Sequence, residues 1–285
     1  MDAIAWNDSS ECRELSNICG QFLTGLLLVV ERPEAKAPEH LLYSGFLVEY
    51  KKLFLWVSAG HVIREIDQIQ KSSNIKFLKR HFLDQGDFSQ SLESVPVELD
   101  DLRRFWIYKD GIDIGALVLT EYYVNIFAST PNNAFITKEC WESNGSLTEK
   151  NLYLVGFPKE KEQLTTSRQP GNKRMYSLRA ETRVIPCSPV TERIDGTVSD
   201  FWDKDACIYA RLVPTADGHI DDHVNDIKFM SGGAIFSLEH LDNGDSLFSL
   251  RGIQGSWLAN NRIIRGTRIE VLQALLDGLI ERTSE

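Results

Sequence analysis

The chain has 285 residues, 42% hydrophobic and 25% charged, enough to bury one large domain or two smaller ones as a soluble globular protein. Acidic side chains outnumber basic ones by 41 to 31, and the formal charge of −10 argues against a nucleic-acid partner, which needs clustered Lys and Arg. The five cysteines (Cys12, Cys19, Cys140, Cys187 and Cys207) are odd in number, widely spaced and free of any Cys-x-x-Cys pair. A disulfide framework or cysteine-rich zinc site is therefore not expected, and a reducing compartment is.

In chain order, the first twenty residues carry Asp2, Asp8, Glu11 and Glu14 where a secretion signal carries Lys or Arg. They read as a polar helix or arm capped by Ser9 or Ser10, and a cytoplasmic location is the expectation. The apolar run Phe22 to Val30 is too short to span a bilayer as a helix and reads as a buried strand, so no membrane partner is expected. Strand patterns follow at Gly25 to Glu31, Leu41 to Tyr50, Leu53 to Ser58, Asn74 to Leu78, Phe105 to Tyr108 and Ile112 to Leu119. Lys51-Lys52 joins two of these as a hairpin turn, although neither residue is customary there.

The polar stretch Ser129 to Lys150, with Pro131-Asn-Asn and Asn144-Gly145, reads as a connection between two halves. Further strand patterns occupy Leu152 to Phe157, Met175 to Val184, Ala206 to Val213, Gly233 to Leu238 and Leu247 to Gln254. One long helical pattern closes the chain, with Ile269, Leu272, Leu275, Leu276, Leu279 and Ile280 at helical spacing. Many short strands and one terminal helix predict an all-β barrel or sandwich.

Three segments carry chemistry. Val57-Ser58-Ala59-Gly60-His61 brings an imidazole out at a strand end. Asp113 opens the otherwise apolar strand Ile114 to Leu119, at the edge of a core. Ser231-Gly232-Gly233 sets a serine on a tight turn that leads into an apolar strand, with glycines that admit unusual backbone angles and close approach of a substrate main chain. Together they supply a nucleophile, a base and a carboxylate to orient the base.

In this order His61, Asp113 and Ser231 resemble the trypsin and chymotrypsin superfamily, and further motifs agree. Tyr43-Ser44-Gly45-Phe46-Leu47-Val48 resembles the strand before the family histidine. Val155-Gly156-Phe157-Pro158 resembles the turn that opens the second barrel, and Leu250-Arg251-Gly252-Ile253 resembles the strand after the serine that binds substrate backbone. The likeness covers roughly residues 22 to 282 and is closest to bacterial intracellular trypsin-like peptidases.

The resemblance implies an all-β fold of two packed antiparallel six-stranded barrels with a C-terminal helix. Its expected layout is an arm at 1–21, a first barrel at 22–125, a connection at 126–149, and a second barrel with the helix at 150–285. It implies a serine endopeptidase that forms an acyl-enzyme on Ser231, cleaves a polypeptide substrate, and needs no cofactor or metal. The backbone N–H groups of Phe229 and Ser231 would form the oxyanion hole. Asn225, Asp226, Gln254, Gly255 and Ser256 would line the substrate pocket, with Asp226 pointing either inward to select a basic side chain or outward into solvent.

The chain departs from the family pattern at Phe229, where the family has glycine, at Met230, where it has aspartate, and at Val62, where it has cysteine. Phe229 keeps open a second reading, a weak or silent protease fold that binds a peptide or partner protein. It also suggests that a regulatory partner orders the oxyanion turn. An esterase acting on small acyl compounds is a third reading of the same three residues. His219 and His223, with Asp217, Asp221 and Asp222, read as a solvated loop rather than a metal site.

Overall fold

The computed structural model describes residues 10–83, 94–130, 133–141, 152–158, 163–168, 174–179, 182–192, 202–213, 227, 230–240 and 246–284. Helix α1 (Ser10–Gly20) precedes β1 (Gly25–Glu31), whose first six residues are all buried. Then come β2 (Glu39–Tyr43), β3 (Phe46–Tyr50), β4 (Leu53–Ser58), α2 (Gly60–Lys71), β5 (Lys76–Leu83), β6 (Ser94–Pro96), β7 (Arg103–Lys109), β8 (Ile112–Val118) and α3 (Glu121–Ser129).

These strands form two antiparallel four-stranded sheets, β2-β1-β5-β6 and β3-β4-β8-β7. The run expected as one strand over Leu41 to Tyr50 is broken at Ser44-Gly45, and its two parts serve different sheets. Between the sheets lie Leu26, Leu28, Leu47, Trp56, Phe82 and Leu117, with Ile63 and Ile66 of α2 and Tyr123 and Phe127 of α3.

The structure does not show the expected closed six-stranded first barrel: among the described residues this half forms two open sheets of four strands each. Among the described residues the two sheets are joined beside β1 by an isolated bridge, Leu23 to Phe46, with Thr24 N–H donating to the Gly45 carbonyl and Leu47 N–H to the Phe22 carbonyl.

The C-terminal half does close. β9 (Leu152–Gly156), β12 (Arg183–Pro189), β13 (Cys207–Leu212), β14 (Ala234–His240), β15 (Ser246–Leu258) and β16 (Ile263–Arg268) form a barrel of order β12-β13-β16-β15-β14-β9. Alternation along the strands sends Leu154, Ile185, Ile208, Ile235 and Ile264 to one apolar cluster, the barrel interior. A separate hairpin pairs β10 (Gln163–Arg168) with β11 (Arg174–Arg179).

The opposite faces of the barrel strands meet the N-terminal half. Val155, Ala234 and Ile253 share a buried cluster with Val57, Ile114 and Ala116 of β4 and β8, and with Ile269, Leu272 and Leu276 of the C-terminal helix α4 (Ile269–Ser284). Part of the expected connection also packs on the N-terminal half: Ile136 bridges Val48, and Trp141 stacks on Tyr50 with ring centroids 5.1 Å apart.

Candidate active site

The site lies on the seam between the halves. Strand β4 ends at Ser58, and α2 starts two residues later because Val62, Ile63, Ile66 and Ile69 bury one face of a helix. Its N-cap is Ala59, whose side chain makes no capping bond. The backbone N–H of His61, one of the donors left open in a helix's first turn, is met from elsewhere: it donates to Asp113 Oδ1 at 2.9 Å. The carboxylate also suits the positive end of the helix.

The same carboxylate holds the imidazole. His61 Nδ1 lies 2.7 Å from Asp113 Oδ2. An ionised carboxylate only accepts, so Nδ1 carries the proton and Nε2 presents a lone pair. Asp113 is 2% exposed, and its own N–H donates to Thr267 Oγ1 of β16 at 2.9 Å. Gly255 of β15 presses on the carboxylate: a Cβ there would stand 2.7 Å from Oδ2 and 2.8 Å from the aspartate Cβ. The site needs a glycine at this position.

Ser231 is half-buried on the turn that leads into β14. Gly232 takes φ of +89°, where glycine is favoured, and any Cβ would collide with Ser58 Oγ and the Ser44 carbonyl. The turn is pinned to β15, since Gly232 N–H donates to the Gln254 carbonyl at 2.8 Å and Gln254 N–H donates to the Gly233 carbonyl at 2.9 Å. Ser58 Oγ donates to the Ser44 carbonyl at 2.7 Å, and Ser44 Oγ accepts from Phe157 N–H at 2.9 Å. The serine turn is thus fixed against the strand that ends three residues before His61.

The structure therefore joins His61 to Asp113 and sets Gly255 against that pair, with the Ser231 turn bonded to neighbouring Gln254. No hydrogen bond joins Ser231 to His61 among the described residues. An open groove of about 460 Å³ runs beside the pair, lined by His61, Arg64, Gln68, Tyr108, Gly255 and Ser256 among others. Ser256 Oγ accepts from Arg265 at 2.9 Å. Asn225, Asp226, Phe229, His219 and His223 lie outside the described residues. Among the described residues no group of three or more His, Cys, Asp or Glu side chains is placed to hold a metal.

Sequence reasoning missed Thr267, which tethers Asp113, and the groove residues Arg64 and Tyr108, whose guanidinium lies 4.3 Å above the ring centroid. Arg64 was findable, one helical turn on from His61. Thr267 sits 154 positions from Asp113, and no local pattern marks it.

No protein-family model and no curated protein matches the chain. Similar solved structures include the protease Anisep from Arthrobacter nicotinovorans (10% identity, TM-score 0.44, covering 87% of this chain and 90% of that one). A Glu endopeptidase in complex with MPD is also similar (11%, 0.43, 89% and 87%). So is a catalytically inactive tobacco etch virus protease complexed with substrate (12%, 0.36, 89% and 80%). At these values the likeness assigns no residue and no activity to this chain.

Proposed function

We propose that this chain is a serine endopeptidase with Ser231 as nucleophile, His61 as general base and acid, and Asp113 as the group that orients His61. The observation that carries this reading is the double grip of one buried carboxylate on His61, at its backbone N–H and at Nδ1, which directs the Nε2 lone pair outward. The order of the three motifs along the chain and the rigid Ser231 turn on the same seam support it. The absence of a Ser231–His61 bond in the free protein is compatible with it, because such bonds often tighten only when substrate is bound.

In the reaction, Ser231 Oγ attacks a peptide carbonyl carbon while His61 Nε2 accepts the hydroxyl proton. His61 then gives that proton to the leaving amine, which departs and leaves an acyl-enzyme. Water, deprotonated by His61, attacks the ester carbonyl, releasing the acid and restoring the serine. Asp113 keeps the tautomer and stabilises the imidazolium at each stage.

The test is labelling with a fluorophosphonate, which reacts only with an activated serine. Wild-type protein should be labelled at Ser231, and Ser231→Ala and His61→Ala should not. Labelling that persists in Ser231→Ala would overturn the assignment. Folded wild-type protein that resists the probe would favour the peptide-binding reading that Phe229 raises.

A further inference from the structure

The hairpin that carries Asp113 also brings an aromatic ring to the imidazole. Strands β7 and β8 are joined by the two-residue turn Asp110-Gly111, with φ of 53° and 86°. Positive angles at both central residues make the tight turn that suits strand twist and fixes the register: Lys109 stands opposite Ile112, and Tyr108 opposite Asp113. The pair flanking such a turn is hydrogen-bonded, so the next pair is not, and there side chains approach most closely and share a face. The bond from Asp113 N–H to Thr267 rather than to β7 agrees with this. Tyr108 and Asp113 therefore project from one face of the sheet.

His61 meets both. Asp113 holds Nδ1, and the Tyr108 ring centroid lies 5.9 Å from that of the imidazole, with the planes tilted by 59°. Tyr108 is 47% exposed, so core burial does not account for the placement of its ring. Arg64 does: its guanidinium lies 4.3 Å above the ring centroid, where the ring's electron-rich face attracts a cation. Arg64 stands three residues beyond His61 in α2, on the same helix face. The hairpin and the helix thus each send one side chain to the imidazole site and one to the contact that braces it.

The carboxylate alone is a single tether at one ring nitrogen. The His61 side chain is 30% exposed, and the groove of about 460 Å³ beside it leaves room for the ring to swing away. We infer that Tyr108 is a positioning residue for His61: its ring, pinned by Arg64, packs against the imidazole and keeps it seated on Asp113 while the proton is transferred. This inference rests on His61 being the general base.

The experiment follows two signals in wild-type, Tyr108→Ala, Tyr108→Phe and Arg64→Met proteins. One is the labelling rate with a small fluorophosphonate, which has no peptide to fill the groove. The other is the downfield proton resonance of His61 Nδ1, assigned by its loss in His61→Ala, which does not depend on Ser231. In folded Tyr108→Ala the labelling rate should fall at least roughly tenfold and the resonance should broaden or vanish, since small misplacements of reacting groups are costly. Tyr108→Phe keeps the ring and should recover most of both signals. Arg64→Met keeps the stem without the cation and should fall between wild type and Tyr108→Ala. Wild-type rate and resonance in Tyr108→Ala would overturn the inference and leave Tyr108 a groove wall. Tyr108→Phe as impaired as Tyr108→Ala would overturn it by placing the effect in the hydroxyl. If Tyr108→Ala does not fold, Arg64→Met decides: unchanged signals there would overturn the clamp. A wild-type protein inert to the probe would remove the Ser231 reading, and the Nδ1 resonance would still decide this one.

Discussion

Asp113 makes three bonds with three different jobs. It caps a helix, fixes an imidazole tautomer and, through its N–H, ties β8 to β16. Asp113→Asn separates the first two jobs. An asparagine has one oxygen to accept from the His61 backbone N–H, and its amide then faces Nδ1 as a donor. Nδ1 must become the acceptor, Nε2 takes the proton, and the base is lost although the geometry survives. Turnover should fall by ~10⁴ with little change in melting temperature. A loss below roughly tenfold would mean that another group orients His61. His61, Asp113 and Ser231 each sit in a short local motif that stands out in the sequence, and of the three the structure bonds His61 to Asp113. The second jobs of Asp113 were not legible there, because a cap supplied from 52 residues away leaves no trace beside the helix it starts.

That same fact explains which elements were hidden. Strands β1 and β4 match the expected bounds, and α4 was found from its periodicity. Helix α2 was not foreseen, although Val62, Ile63, Ile66 and Ile69 stood at helical spacing, because its start lacks a capping side chain and follows a strand almost directly. The break at Ser44-Gly45 was hidden inside a nearly unbroken apolar run, where alternation gives no signal. The turn between β3 and β4 is a third case. Lys51 and Lys52 both take positive φ, 47° and 68°, as the hairpin twist demands. Lys51 also donates to Asp277 of α4 at 2.7 Å, so Lys52 is the residue to change. Lys52→Gly should stabilise the protein by about 1 kcal/mol in chemical denaturation, since left-handed backbone is costly for a side chain and free for glycine. No gain would show that the flanking strands impose no strain at this turn.

The sheet around β1 carries a pH dependence. His40 of β2 and His81 of β5 pair with β1 from opposite sides, at Val29 and Leu27. Burial, and secondarily the charge of Lys79, lowers both imidazole pKa values below the ordinary 6.5. The unfolded chain therefore binds protons first as pH falls. The stability these residues contribute is complete above about 6.5 and declines as pH drops through that value toward their folded pKa values. Denaturation at about pH 7.5 and about pH 5.5 should show a loss that His40→Gln with His81→Gln reduces. The same loss in the double variant would place the titrating groups elsewhere.

At the scale of the whole molecule, the two halves meet through apolar side chains with a few buried polar ties at the site. One of these, Asp113 N–H to Thr267 Oγ1, runs from β8 to β16 and so couples the alignment of the halves to the carboxylate that holds His61. Thr267 is 1% exposed, and its backbone is already paired with β13 and β15, so the hydroxyl has little freedom to move. Thr267→Val keeps the shape and deletes the acceptor, which leaves a buried N–H unpaired at a cost of about 1–3 kcal/mol. If the bond served stability alone, denaturation would register that cost while probe labelling of the folded protein stayed unchanged. A positioning role predicts more. Asp113 should relax off its place against Gly255, the grip on His61 should loosen, and the labelling rate of folded protein should fall at least roughly tenfold, since small misplacements of reacting groups are expensive. Thr267→Ser restores the hydroxyl without the methyl and should recover most of the labelling rate. Labelling of folded Thr267→Val at the wild-type rate would make Thr267 a structural residue and leave Gly255 and the α2 terminus as the groups that hold Asp113 in place.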